Sequence, residues 1–164
     1  MIDAAGYRSN VGMIIINQEK QVFWAKRVQN DNAWQFPQGG VDKDESAIEA
    51  MYRELYEEVG LCKTDVRLVA ETKEWLQYEL PERYIRHNQS PRCIGQKQKW
   101  FLLELTSSEM NICLTTSKTP EFNAWCWVDF WYPIQHVILF KKEVYAGALK
   151  EFAPLLQIDE PDPQ

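Results

Sequence analysis

Between Gly39 and Leu61 the chain carries a helix whose charges work against its own stability. Ser46 followed by Glu49 forms a capping-box pattern, so a helix is predicted to begin at Ala47. Gly60 offers the positive-φ residue that ends it. At 3.6 residues per turn, Ile48, Met51, Leu55 and Val59 make one apolar stripe, the pattern of a helix packed on a core. Glu54, Glu57 and Glu58 stand at i, i+3 and i+4 and crowd the flank of that stripe. From Asp44 to Leu61 there are six acids (44, 45, 49, 54, 57, 58) and a single base, Arg53. Like-charge neighbours on a helix cost roughly 0.2–0.5 kcal/mol per pair. Acids in the last turn oppose the helix dipole by roughly another 0.3–1 kcal/mol each.

Two readings fit such a helix. One is a solvated acidic face, the ordinary fate of exposed charge. The other is a cation site, since a bound ion removes both penalties. Carboxylates with no His or Cys among them suit a hard, oxygen-loving ion, Mg²⁺ or Mn²⁺. The Asp-x-Asp-x-Asp-Gly spacing of a calcium-binding EF-hand loop is absent.

The spacing Gly39, Glu45, Arg53-Glu54-Leu55, Glu57-Glu58, Gly60-Leu61 resembles a complete Nudix box. The resemblance implies a hydrolase of nucleoside diphosphates linked to another group. It also implies an α/β fold with a mixed β-sheet between helices and the box as loop–helix–loop.

The length and makeup of the chain agree with one such domain. At 164 residues, 45% hydrophobic and with seven tryptophans, it can bury a sizeable core. Residues 1–156 are expected to form the domain, and 157–164, acidic and proline-rich, to be a disordered tail. The run Val11–Ile16 is too short for a signal peptide or a membrane span, so a cytoplasmic protein with no membrane contact is expected. Cys62, Cys93, Cys113 and Cys126 lack C-x-x-C spacing and are expected to be reduced and structural. The net charge of −6 argues against gripping long nucleic acid but not against holding one end of it.

Val11–Ile16 and Val22–Lys26 are predicted strands joined by the turn at Asn17–Lys20. Residues 66–79, Lys99–Leu105 and Glu121–Val128 are further predicted strands. In the last, Trp125 and Trp127 share one face and Cys126 takes the other. Lys141 to Leu156 is a predicted amphipathic helix interrupted at Pro154. The segment Glu82–Lys99 holds five bases against one acid. These bases are either ordinary surface charge or clamps for a polyphosphate.

A closer resemblance spans nearly the whole chain. Gly6-Tyr7-Arg8-x-Asn10-Val11-Gly12, Trp34-Gln-Phe-Pro-Gln-Gly-Gly40, Cys93-Ile-Gly-Gln-Lys-Gln-Lys-Trp-Phe101, Thr119-Pro-Glu121-Phe122 and the stretch from Trp131 to Lys141 are similar to the bacterial RNA pyrophosphohydrolases. That family removes pyrophosphate from the 5′ end of triphosphorylated RNA, acts also on diphosphorylated ends, and leaves a monophosphate that ribonucleases attack. The resemblance implies Glu54, Glu57, Glu58, the remote Glu121 and Gly39 as Mg²⁺-binding positions, with Arg53 among the catalytic residues. It implies Arg8 on the 5′ phosphates and Arg27 with Phe140 clamping the second base. Ile138 and Lys141 would meet that base edge-on, and Tyr78 and Gln96 match further cleft positions. Glu45 would pair with Arg53. Residues 28–33 look about one residue longer than the family pattern, and Ile138 stands at a valine-like position. A monomer is expected. Other readings are a diadenosine polyphosphate hydrolase, another hydrolase of the nucleotide pool, and a Nudix-fold module that binds RNA ends without cutting them.

Overall fold

The computed structural model describes residues 1–29 and 33–161. The expected lengthening at 28–33 falls largely on residues 30–32, outside the described residues. The same is true of 162–164 at the end of the tail.

The elements in order are β1 (Tyr7–Ile16), β2 (Val22–Arg27), β3 (Trp34–Gln35), β4 (Gln38–Gly40), α1 (Ala47–Val59), β5 (Val66–Glu71), β6 (Leu76–Glu79), β7 (Gly95–Leu105), β8 (Phe122–Val128), α2 (Tyr132–His136) and α3 (Lys142–Phe152). The strands join into one mixed sheet with the path β3-β2-β1-β7-β5. Off that path β4 pairs with β1, β6 with β7 and β8 with β2. The long pairing of β1 with β7 is parallel, from Tyr7 opposite Gly95 to Ile16 opposite Glu104. The other ladders are antiparallel.

Alternation along β1 feeds two cores. Val11, Met13 and Ile15 pack with Ala50, Met51, Leu55 and Val59 of α1. Ile14 and Ile16 pack with Val144, Tyr145, Ala148, Leu149 and Phe152 of α3. The sheet thus lies between helices, as the α/β expectation required. At the centre, Gly12 lies opposite Trp100, and a Cβ there would stand 2.5 Å from the indole.

Four local expectations change. Ile48 is 40% exposed, because it sits in the first turn of α1 beyond the packed cluster; Ala50 takes its place in the core. Residues 66–79 are two strands rather than one. Glu71 lies opposite Phe101 and Leu76 opposite Gln98, so four residues, 72–75, face only Lys99 and Trp100 and must bulge. The bulge is held by Thr72, whose amide donates to the Trp100 carbonyl and whose Oγ1 accepts from the Trp100 amide at 3.0 Å. β1 and β7 both start four residues before their apolar runs, for reasons that belong to the site below. The cysteines are free as expected, but Cys62, Cys113 and Cys126 are exposed and contribute little to the core.

The turn at Asn17–Lys20 forms, with Lys20 at φ 63°. Trp125 and Trp127 both pack against Phe23, while Cys126 faces out. The last helix ends at Phe152 and continues as a tighter turn through Pro154 to Leu156. Beyond it Ile158 packs against the core, and the Trp131 indole donates to the Asp159 carbonyl at 2.9 Å. Among the described residues no helix is long and apolar enough to cross a membrane.

The loop entering α1 is pinned from the far helix. The hydroxyl of fully buried Tyr145 accepts from the Phe36 amide at 3.1 Å. Tyr145→Phe leaves that amide without a partner in the core, and an orphaned buried donor costs about 1–3 kcal/mol. The melting temperature should fall accordingly with far-UV circular dichroism unchanged. A variant as stable as the parent would remove this tether.

Candidate active site

α1 begins as its sequence demands. The Glu49 amide donates to Ser46 Oγ at 3.2 Å, and the Ser46 amide donates to Glu49 Oε1 at 3.1 Å. Gly60 closes the helix at φ 79°. A Cβ there would stand 2.6 Å from the Cys113 carbonyl, so both conformation and space require glycine.

Arg53 ties the loop to the helix. Its Nε and Nη2 donate to the Glu45 carboxylate at 2.8 and 3.0 Å, and Nη2 also donates to the Gly40 carbonyl at 2.8 Å. Nη1 donates to Glu54 at 2.7 Å and to Glu57 at 3.3 Å. The expected Glu45–Arg53 pair is present, and Glu45 first, then Glu54, raises the Arg53 pKa further. Glu49 is occupied by the cap instead.

Glu54 is 9% exposed. Its partner across one helical turn, Glu58, has a buried Oε2 with no hydrogen-bond partner. Burial, then the charge of Glu54 and a hydrogen bond between the two, push the Glu58 carboxyl up to about 10. Burial also raises Glu54. Both carboxyls therefore hold a proton more firmly than an exposed glutamate does. Glu121 is close enough for its charge to raise Glu58 further. Glu121 itself precedes β8 and pairs with Arg27 at 3.4 Å. Gly39, in β4 opposite Val11, lies against Glu54; any Cβ would overlap that carboxylate.

This donor set fits a hard divalent cation: all oxygens, one of them orphaned and buried, with more carboxylates than the two nearby guanidiniums can balance. Among the described residues no three acidic, His or Cys side chains are already gathered tightly enough to hold an ion. Glu57 leans on Arg53 and Glu121 on Arg27, so a bound cation would have to draw them in.

The remaining expected residues line two adjoining cavities on the α3 side of the sheet. One, of about 220 Å³, is bounded by Arg27, Tyr78, Ile138, Phe140 and Lys141. Tyr78 and Phe140 have ring centroids 5.6 Å apart. Lys141 is not the surface lysine its position at a helix start suggests. It is 7% exposed, and its Nζ donates to Gln35 at 3.2 Å and Gln38 at 3.5 Å. Burial, with the Arg27 charge nearby, pulls its ammonium down to about 8. The second cavity, of about 400 Å³, contains Arg8, Gln96 and Arg86. Of the other bases in 82–99, Lys97 pairs with Asp3 at 3.0 Å and Lys99 donates to the Lys73 carbonyl. Arg92 donates to the His87 carbonyl and Arg83 lies over the Tyr84 ring, and Arg86 is the base of that segment that lines the cavity with Arg8.

Sequence reasoning passed over Asn10, Gln38, Gln98 and Tyr84. Gln98 Nε2 donates to Asn10 at 2.8 Å and to Gln38 at 3.3 Å, and both Asn10 and Gln98 are buried. The signal was available: strand alternation places Asn10 on the face of Ile14 and Gln98 on the face of Trp100, where apolar residues belong.

Residues 6–152 match the NUDIX domain, and the chain belongs to that family. It is 56% identical over 161 residues to the RNA pyrophosphohydrolase of Haemophilus influenzae (strain PittEE), covering 98% of this chain and 82% of the relative. It is 54% identical over 167 residues to the RNA pyrophosphohydrolase of Escherichia coli (strain HS), covering 100% of this chain and 94% of that one. In fold it is similar to the E. coli dihydroneopterin triphosphate pyrophosphohydrolase, with a TM-score of 0.72 and 22% identity over 91% of this chain and 98% of the other.

The raised Glu58 carboxyl has a consequence for stability. An acid whose pKa is raised by folding contributes its full stabilisation below its ordinary value, here 4.5, and loses it as pH climbs toward the folded value. In chelator, the free energy of unfolding should therefore decline from pH 5 to 7.5 by up to about 1.4 kcal/mol per pH unit, read as a falling melting temperature. Glu58→Gln should flatten that slope. Equal slopes for parent and variant would count against the carboxyl pair.

Proposed function

We propose that this protein is a divalent-cation-dependent hydrolase that removes pyrophosphate (or orthophosphate stepwise) from the 5′ end of triphosphorylated RNA, and orthophosphate from a diphosphorylated end, and leaves a monophosphate. One observation carries the reading: Arg27 both borders a cavity suited to a nucleobase and pairs with Glu121 beside the buried carboxylates. A base and the 5′ phosphates can thus be held at once. The identity to RNA pyrophosphohydrolases over nearly the full chain supports the same substrate.

Nudix hydrolases use divalent metal ions, and Mg²⁺ is the ion proposed here, with Mn²⁺ able to replace it. Glu54, Glu57, Glu58 and Glu121, with Gly39, would hold it. When bound, such an ion supplies Lewis acidity and neutralises leaving-group charge. The protein's own groups do the rest. Burial of Glu54 and Glu58 keeps bulk water from screening the site. Either of the two takes the proton of the attacking water. Arg53 aims Glu54 and keeps the loop on the helix. Arg8 and Gln96 receive the phosphates. Arg27 and Phe140 enclose the second base, Ile138 and Lys141 meet its edge, and Tyr78 backs Phe140. A guanidinium opposite an aromatic ring suits a base of any identity, and stacking contributes about 1–3 kcal/mol.

The test is release of phosphate or pyrophosphate from a triphosphorylated oligonucleotide with Mg²⁺, in competition with diadenosine tetraphosphate. Preference for the RNA end is expected. Equal use of both would shift the reading to dinucleoside polyphosphates, and no release from either would leave a binding module. Glu58→Gln, which removes charge without volume, should lower turnover by roughly 10²–10⁴-fold with the fold intact. Turnover at the parental rate would refute the assignment.

A further inference from the structure

The two cavities meet at one aromatic ring. Tyr84 closes a single tight turn, Glu82–Tyr84, in the loop between β6 and β7. It lines both the cavity of Arg27 and Phe140 and the cavity of Arg8, and Leu80 is the other residue common to the two. Its ring centroid lies 5.8 Å from that of Phe140. Arg83 sits over the Tyr84 ring at 4.8 Å, in the range of a cation–π contact. Even so the residue is 43% exposed. A large ring standing half in solvent between two recesses contributes little to a core, but it offers a ready stacking surface.

Covalent connectivity then decides what can lie on it. In an RNA 5′ end the terminal nucleoside joins the phosphates on one side to the second nucleotide on the other. With phosphates at Arg8 and the second base between Arg27 and Phe140, the terminal nucleoside must cross the boundary between the cavities. Tyr84 and Leu80 form that boundary. We propose that Tyr84 is a substrate-binding residue on which the 5′-terminal nucleobase stacks. This rests on the function proposed above. It concerns a residue outside the Arg27–Phe140 clamp and assigns a separate place to the first base. The surface is the ring itself, with Leu80 beside it and the Arg83 guanidinium against it, and stacking on a ring does not read the edge of a base. It therefore accepts any base, purines more firmly than pyrimidines because they cover more area.

The experiment uses the full chain with Mg²⁺ and short triphosphorylated RNAs that carry either a normal first nucleotide or an abasic first ribose. Tyr84→Ala should raise KM for the normal RNA by about 5- to 100-fold with little change in kcat, the range that loss of one stacked base produces. Tyr84→Phe should restore most of the affinity, because the ring and not the hydroxyl is used. The abasic RNA should already bind weakly to the parent and respond little to Tyr84→Ala. Matching melting temperatures will show that the exposed position tolerates the changes. An active parent whose KM is unmoved by Tyr84→Ala overturns the inference alone. So does an equal loss on normal and abasic RNA, which would mark a role in shaping the loop. A parent that releases nothing from any RNA end overturns the function reading, and this inference with it.

Discussion

The parallel ladder between β1 and β7 organises the molecule. Its far half, from Val11 to Ile16 against Lys99 to Glu104, supplies apolar side chains to both faces and so builds both cores. Its near half, from Tyr7 to Asn10 against Gly95 to Gln98, keeps the same backbone pairing but presents arginine, asparagine and glutamine. One ladder therefore anchors the fold and ends in the wall of a polar cleft. A parallel pair cannot be closed by a tight turn, so the chain between the two strands must travel. That intervening segment carries α1, β5 and β6, which is how the carboxylates and the cavity residues reach the same end of the sheet.

The carboxylate pair on α1 accepts a cost that helix formation alone would avoid. Glu54 is buried and Glu58, one turn on, is half-buried with its Oε2 inside; Arg53 engages Glu54 and leaves Glu58 Oε2 unpartnered. Packing around Met51, Leu55 and Val59 is strong enough to keep the helix in place despite this. Gly39 and Arg53 act on the same spot from opposite sides. Glycine leaves room for the Glu54 carboxylate, and the guanidinium fixes its direction. The strain is local and the support is distributed, the pattern expected of a functional site on a stable scaffold.

Burial of polar groups recurs across the cleft. Asn10, Gln35, Gln98 and Lys141 are all inside and hydrogen-bond one another with Gln38 among them, although Gln98 Oε1 is left without a partner. Lys141 donates to neutral amide oxygens, and its burial, with the Arg27 charge nearby, makes its ammonium bind its proton less firmly than an exposed lysine does. These residues link the base-sized cavity to the strand that enters the carboxylate site.

The amino-acid sequence by itself determined what depends on neighbours along the chain. The cap at Ser46, the stop at Gly60, the turn at Asn17–Lys20, the faces of Trp125 and Cys126 and the crowding of Glu54, Glu57 and Glu58 follow from spacing alone. Spacing also carried the resemblance that pointed to Arg8, Arg27, Phe140 and Glu121, which no local rule would select. Only the tertiary structure decided that Ile48 lies beyond the core and that residues 72–75 bulge from β7. It alone decided that Lys141 is buried, that Arg27 joins Glu121 to the cavity, and that Tyr84 divides the two recesses. The reason is physical. Periodicity encodes which face of an element turns inward, but not how far a neighbouring strand extends over it. A polar side chain's burial is set by partners dozens of residues away, and those partners meet only when the sheet has assembled.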